Sequence, residues 1–194
     1  MFTGIVHGIG RVRDRPSLTL EVEIPAELRG RLVVGGSIAV NGVCLTARAK
    51  TEHSFVADLS TETRSRTTLG SLSSGDEVNL ELPVTPMGLL DGHLVLGHVD
   101  AVGRVKSIAR EADGWAFVFS YPPEFGGKVV EKGSVAVEGI SLTPFSVTGT
   151  TFRVAIIPAT FEGTTLKGRA VGDAVNLEFD LVAKYVEGMV RRVR

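Results

Sequence analysis

The side chains best suited to nucleophilic, metal or proton-transfer chemistry are few: one cysteine, Cys44, and four histidines, His7, His53, His93 and His98. There is no HExxH motif and no cysteine pair. His93 and His98 are five residues apart, which on a strand would point them to opposite faces. A zinc or iron site is therefore not supported. Ser141, His98 and Asp180 supply the residue types of a hydrolytic triad. However, GISLT (139–143) is not a GxSxG elbow, and triads are recognised by geometry rather than by inventory. The glycines of GIVHGIG (4–10) make no GxGxxG leading into a helix, so a dinucleotide site is not supported either.

The reactive residues become informative in pairs. NGVCLT (41–46) recurs as EGISLT (138–143), 97 residues later. At the same distance Gly36 returns as Gly133, TTL (67–69) as TTL (164–166), and GDEVNLE (75–81) as GDAVNLE (172–178). LTLEVEIP (18–25) lands on WAFVFSYP (115–122), and GIVHGIGRV from Gly4 on GHVDAVGRV from Gly97 at an offset of 93. The four extra residues fall between RDRPS (13–17) and KSIAREADG (106–114), and polar loops absorb such insertions. The chain is a tandem duplication. Within matching backbone the chemistry diverges: Cys44 against Ser141, Ile5 against His98, Gly35 against Lys132, Asn41 against Glu138, Pro83 against Asp180. Two equivalent pockets with different polar linings suit two similar ligands treated differently.

The elements that position these residues read as short strands. Leu18, Leu20, Val22 and Ile24 alternate with polar residues, as do Trp115, Phe117, Phe119 and Tyr121 with smaller ones, the period of half-buried strands. About six such runs per half predict an all-β fold of compact antiparallel barrels, which remove sheet edges by closing. Helical turns are expected after Pro25 and Pro122 and near Thr63 and Thr160. PVTPMG (83–88) reads as the linker, giving units at 1–86 and 87–180. Beyond the repeat, Leu181, Tyr185, Met189 and Val193, flanked by Val182, Val186 and Val190, form one apolar stripe on a helix over 181–194. A helix this short needs packing, on its own barrels or on other copies of the chain.

Bulk properties exclude several classes. The 194 residues are 43% hydrophobic and 22% charged, with net charge −1 and mean hydropathy +0.21. The 21 basic residues are dispersed, so no nucleic-acid footprint is expected, and RRVR (191–194) suits a helix end. No apolar run reaches membrane-spanning length, and MFTGIVHGIG lacks the layout of a secretory signal. A single cysteine suits a reducing cytoplasm.

MFTGIV, NGVCLT, ETRSRTTLG, GHLVLGHVD, KGSVAVEGISLT, IPATFEGTTL and GDAVNLEFD, in this order and across nearly the whole chain, resemble riboflavin synthase. The resemblance implies two six-stranded Greek-key barrels with lumazine-binding sites, and a C-terminal helix that trimerises. It implies dismutation of two 6,7-dimethyl-8-ribityllumazine molecules to riboflavin and 5-amino-6-(D-ribitylamino)uracil, without cofactor or metal, between facing barrels of neighbouring subunits. Lumazine synthase is a further implied partner. Catalytic roles would fall to Phe2, Thr3, Ser37, Cys44, His98, Lys132, Ser141, Thr143 and Asp180. Ligand contacts would come from Gly4, Ile5 and Val6; Cys44, Leu45 and Thr46; Asp58, Leu59, Ser60, Thr61, Glu62 and Thr63; Gly97, His98 and Val99; Lys132; Ser141, Leu142 and Thr143; and Ile157, Pro158, Ala159, Thr160, Phe161 and Glu162. The sequence departs from that pattern at Glu138 (usually Asp), Ala159 (usually acidic) and Pro144 (usually Val). A non-catalytic antenna protein binding lumazine or flavin is the competing class, and the full complement of catalytic residue types argues against it.

Overall fold

The computed structural model describes residues 1–16 and 18–193, with side chains placed as far as Val190. The first half forms β1 (Gly8–Asp14), β2 (Thr19–Glu23), α1 (Ala26–Arg29), β3 (Ser37–Val40), β4 (Val43–Lys50), β5 (Ser54–Asp58), α2 (Thr61–Arg66) and β6 (Glu77–Glu81). The second forms β7 (Ala101–Glu111), β8 (Gly114–Ser120), β9 (Val135–Val137), β10 (Ile140–Leu142), β11 (Thr151–Ile156), α3 (Pro158–Gly163) and β12 (Ala174–Phe179). A final helix, α4 (Leu181–Val193), follows. Single 3₁₀ turns at Thr68–Ser71 and Thr165–Gly168 precede β6 and β12, and another follows Pro122. The expected helical turns therefore all form.

The first sheet closes in the order β1-β2-β5-β4-β3-β6. The second repeats that order as β10-β9-β12-β7-β8-β11, with no ladder between β10 and β11. Pro144 explains the difference. β4 runs to Lys50 and pairs with β5 through Lys50↔Phe55. Proline has no N–H to offer such a ladder, and β10 ends at Leu142, leaving only the isolated bridge Phe145↔Arg153 across the seam.

Each half fills its interior with the inward faces of its strands. Leu20, Val22, Ile24, Ile38, Phe55 and Leu80 are fully buried in the first. Phe117, Phe119, Phe152, Leu177 and Phe179 occupy the second, with Phe119 and Phe152 rings 5.6 Å apart. Leu18 departs from the alternation expected of it: β2 starts one residue later and Leu18 is exposed.

A pseudo-twofold axis runs between the two repeated phrases. Asn41–Gly42 and Glu138–Gly139 are two-residue hairpin turns with both central φ values positive: 46° and 76°, then 51° and 76°. Such turns match the strand twist but suit Asn and Gly. The turns meet back to back, so a Cβ on Gly42 would stand 2.6 Å from the Gly139 nitrogen. Around them, Asn79 donates to the Glu138 carbonyl at 3.0 Å and accepts from the Thr165 N–H at 2.8 Å. Asn176 reciprocates, donating to the Asn41 carbonyl at 2.9 Å and accepting from the Thr68 N–H at 2.8 Å.

The segments before β1 and β7 cross this axis. The Phe2 N–H donates to the Val95 carbonyl at 2.7 Å, and Val95 returns a bond at 3.1 Å. The Ser141 N–H then donates to Gly4, and the Cys44 N–H to Gly97, both at 2.8 Å. Val6 packs on the second core and Val99 on the first. Each half thus lends an arm to the other.

Helix α4 lies beside the second half, tied by Lys184–Asp100 (2.6 Å) and Lys128–Glu187 (3.4 Å). Val182, Val186 and Val190 line a groove of about 560 Å³ against Val130, Gly133 and Ser134. Tyr185 and Met189 remain 64% and 66% exposed. The side chains of RRVR (191–194), and Arg194 altogether, lie outside the described residues, as does Ser17 of the RDRPS loop.

Candidate active site

On the first half, β4, β5 and α2 converge on a cavity of about 440 Å³ lined by Val34, Gly35, Cys44, Leu45, Thr46, Arg48, Asp58, Ser60 and Thr63. That volume is within the range of small-molecule sites. Period-2 alternation turns Cys44 and Thr46 outward from the barrel and buries Leu45 in its core. Ser60 caps α2, accepting from the Thr63 N–H at 3.0 Å, which fixes that wall. Arg48 and Asp58 pair at 2.8 Å at the rim, where the second half has Phe145 and Ala155. Thr61 and Glu62 begin α2, with Glu62 paired to Arg66, and Leu59 is buried.

The crossed arms decide which residues meet. Gly97 closes on Cys44, and its φ of +78° together with a Cβ position 2.6 Å from the Cys44 Cβ permits only glycine. His98 and Val99 follow, so the arm carrying the second half's distinctive histidine serves the first barrel, while His98 itself is exposed. Reciprocally, Gly4 (φ +78°) closes on Ser141, bringing Ile5 and Val6 to the second. Two carboxylates clamp the crossings. Glu81 accepts from the Thr3 N–H (2.6 Å), the Thr3 hydroxyl (2.8 Å) and the Gly4 N–H (3.0 Å). Glu178 accepts from the N–H groups of Leu96 (2.7 Å), Gly97 (2.9 Å) and His98 (3.1 Å). Burial pushes both carboxyls up from the usual range, against the pull of these donors.

On the second half, Ser141 is half-buried on β10, Thr143 lies exposed just beyond that strand, and Leu142 points into the core. Lys132, at φ +63° where its counterpart Gly35 has +82°, sits 5.0 Å over the Phe145 ring. Phe161 stacks on Trp115 at 3.6 Å. Ile157, Pro158, Ala159, Thr160 and Glu162 form the rest of the α3 turn. Asp180 caps α4, accepting from the Val182 N–H at 2.8 Å, and opens onto the groove that also holds Ser134, the counterpart of Ser37 on β3. Phe2 is fully buried with Val95, Ala39 and Ala136 on the pseudo-axis, so it packs the joint between halves. The histidine on Ser141 is His93: its Nδ1 lies 2.7 Å from Ser141 Oγ. The combination of Ser141, His98 and Asp180 is not assembled, because the arm that meets Ser141 at His93 has crossed to the first half by Gly97 and Val99, which flank His98.

Sequence reasoning missed Glu81, Glu178 and His93. The two glutamates end the repeated phrase GDxVNLE, and a charge preserved in two otherwise apolar strand ends was the available signal. No cluster of metal-ligating side chains occurs among the described residues.

The lumazine binding domain family matches this chain twice, at residues 3–83 and 96–180. The riboflavin synthase of Mycobacterium tuberculosis (strain ATCC 25618 / H37Rv) is 44% identical over 202 residues, covering 98% of both chains. That of Photobacterium phosphoreum is 40% identical over 197 residues, covering 98% of this chain and 89% of the relative. In fold the chain resembles LumP solved with 6,7-dimethyl-8-(1'-D-ribityl) lumazine, with a TM-score of 0.82 at 21% identity, covering 92% of this chain and 99% of that one. LumP solved with riboflavin gives 0.85 at 22%, with the same coverage. The class so defined is that of paired lumazine-binding domains on crossed barrels. Within it, the chain belongs to the riboflavin synthase family.

Proposed function

We propose that the protein is a riboflavin synthase, a transferase that moves a four-carbon unit between two molecules of 6,7-dimethyl-8-ribityllumazine. The products are riboflavin and 5-amino-6-(D-ribitylamino)uracil, and no metal or cofactor is required. The observation that carries the reading is a duplicated strand wall with unlike reactive groups, Cys44 beside a ligand-sized cavity on one half and Ser141 beside His93 on the other. Identical ligands need equivalent pockets; donor and acceptor roles need the pockets to differ.

The chemistry asks for little acid–base power. The ring delocalises a carbanion at the C7 methyl, so a modest base removes its proton. Holding two flat rings in register is the larger demand, where positioning contributes roughly 7–11 kcal/mol. In this reading Cys44, Thr46, Asp58, Ser60 and Thr63 hold one ring, and Ser141, Thr143, Lys132 and the α3 turn hold the other. His98 assists proton movement at the first pocket.

Both walls open outward, so two rings face each other when pockets of different subunits are apposed. The exposed Tyr185 and Met189 on α4 supply the surface for a homotrimer, in the cytoplasm, with lumazine synthase as a candidate neighbour. Neither nucleic acid nor a membrane is a partner in this reading; no helix is long and apolar enough to cross a membrane among the described residues. Incubating the purified chain with the lumazine and following riboflavin absorbance tests the proposal. Binding of lumazine without conversion would replace it with the antenna-type reading.

A further inference from the structure

His93 is a buried imidazole with one nitrogen accounted for. The residue is only 8% exposed and its Nδ1 meets Ser141 Oγ, while Nε2 has no hydrogen-bond partner among the described residues. Buried polar atoms are normally paired, so an orphan beside a reactive hydroxyl calls for a function. The approach is built into the chain. Gly92 passes so close that a Cβ there would lie 2.1 Å from the Thr3 carbonyl and 2.9 Å from the Ser141 Cβ, and the His93 N–H is anchored on that carbonyl at 3.0 Å. Burial lowers the imidazole's pKa and Asp180, at the start of α4, pulls it back up. Asp180 is the charged group whose field reaches the ring; Thr3 and Ser141 face it as neutral groups.

Among the described residues, no histidine lines the first pocket beside Cys44. Cys44 and Ser141 therefore differ in partner as well as in kind.

We propose that His93 is a positioning residue of the second pocket, accepting the Ser141 hydroxyl proton on Nδ1 and turning the serine lone pairs toward the bound ring. The proposal rests on the dismutase reading and assigns the proton-removing step to the second barrel. In that step a C–H bond of the substrate methyl breaks and its proton goes to Ser141 Oγ as the Ser141 proton passes to His93 Nδ1. The electron pair stays on the substrate, spread over its ring, and the imidazolium forms in the field of Asp180. The reverse transfer restores both residues.

The test uses the full-length chain and compares His93→Asn, His93→Gln, Ser141→Ala and His93→Gln with Ser141→Ala. Asparagine places its amide where Nδ1 stands; glutamine places it where Nε2 stands. His93→Gln should lower kcat by about 100-fold with KM and riboflavin affinity little changed, a loss typical of a general acid–base. His93→Asn should run faster than His93→Gln, because it still orients the hydroxyl. Both should lose the acidic limb of the kcat–pH profile and slow washout of the substrate methyl into deuterated water. The double variant should be no slower than Ser141→Ala. An unchanged acidic limb, multiplying losses, or a kcat loss that merely follows a fall in Tm would overturn the proposal. If the variants do not fold, nitrogen NMR of the unsubstituted protein decides. A neutral His93 with bare Nδ1 at pH 7 supports it, and one protonated at Nδ1 sinks it. Failure of the unsubstituted chain to form riboflavin would instead defeat the dismutase reading.

Discussion

Replacing Glu138 and Arg169 together, by the residues the first half uses, should flatten the pH dependence of stability. Glu138 is fully buried in a turn position with φ +51°, a conformation that favours Asn or Gly. Its Oε1 accepts from the Asn176 N–H at 2.6 Å and its other oxygen pairs with Arg169. At the equivalent places stand Asn41, whose Oδ1 accepts from the Asn79 N–H at 2.7 Å, and the buried Leu72. Burial raises the Glu138 carboxyl from 4.5 to about 7, more than Arg169 and the Asn176 bond lower it. Folded protein therefore holds this proton where unfolded chain has released it. The contribution to stability is complete below pH 4.5 and is lost as pH rises through 7. A displacement from 4.5 to about 7 corresponds to about 3 kcal/mol. Glu138→Asn with Arg169→Leu should remove that slope and be about 1–4 kcal/mol more stable than the parent at pH 8, since buried ion pairs rarely repay their desolvation. Arg169→Leu alone should cost about 3–5 kcal/mol at pH 8 and much less at pH 5, where the carboxyl is protonated. Denaturant unfolding of the three proteins across that range measures both effects. Comparing differences cancels the parallel contributions of Glu81 and Glu178. A double variant with the parental slope, or an Arg169→Leu penalty independent of pH, would refute the reasoning.

Gly42→Ala should destabilise by about 3 kcal/mol or more, because the new methyl meets Gly139 in a left-handed turn; a melting temperature within a degree or so of the parent's contradicts the back-to-back contact. Removing residues 181–194 should leave folded barrels with little turnover, sedimentation and rate falling together, and an active monomeric truncation would end the role given to α4. Cys44→Ser should retain substantial activity, as the hydroxyl of Ser141 serves the other pocket; steady-state loss beyond about a thousandfold without unfolding would make the thiol an obligatory nucleophile. The isolated fragment 1–86 lacks the arm that covers Cys44, so it should bind lumazine or riboflavin as a dimer in which each copy's residues 2–6 cover the other's β4. Tight binding by a strict monomer in a fluorescence titration would show that the arm is dispensable.

Strand positions were legible because alternation and the 97-residue offset are local or additive properties. Leu20, Val22 and Ile24 announce their face without reference to any partner, and Leu18 shows where that logic stops, at a strand end decided by the turn before it. The crossing of the arms was not legible. Gly4 and Gly97 look like any turn glycines until Ser141 and Cys44 are seen beneath them. The same blindness affected His98 and His93. Both lie in one arm, and only three-dimensional placement sends His98 toward Cys44 and His93 to Ser141. Pro144 was visible as a departure, but its effect, opening the seam between β10 and β11, depends on a partner strand the sequence does not name. Cys44, Thr46, Asp58, Ser60 and Thr63, named from scattered motifs, do share one cavity.

The crossed arms also change what it means to exchange parts of this protein. A chimera joining one half to the corresponding half of a relative would place a foreign arm over each pocket, so both sites would become hybrids while both barrels stayed native inside. Alterations in residues 2–6 would be felt at Ser141, and those in 95–99 at Cys44. The unit of inheritance for a pocket is thus a barrel of one half plus the leading segment of the other. Cutting the gene at the linker separates neither site cleanly from its twin.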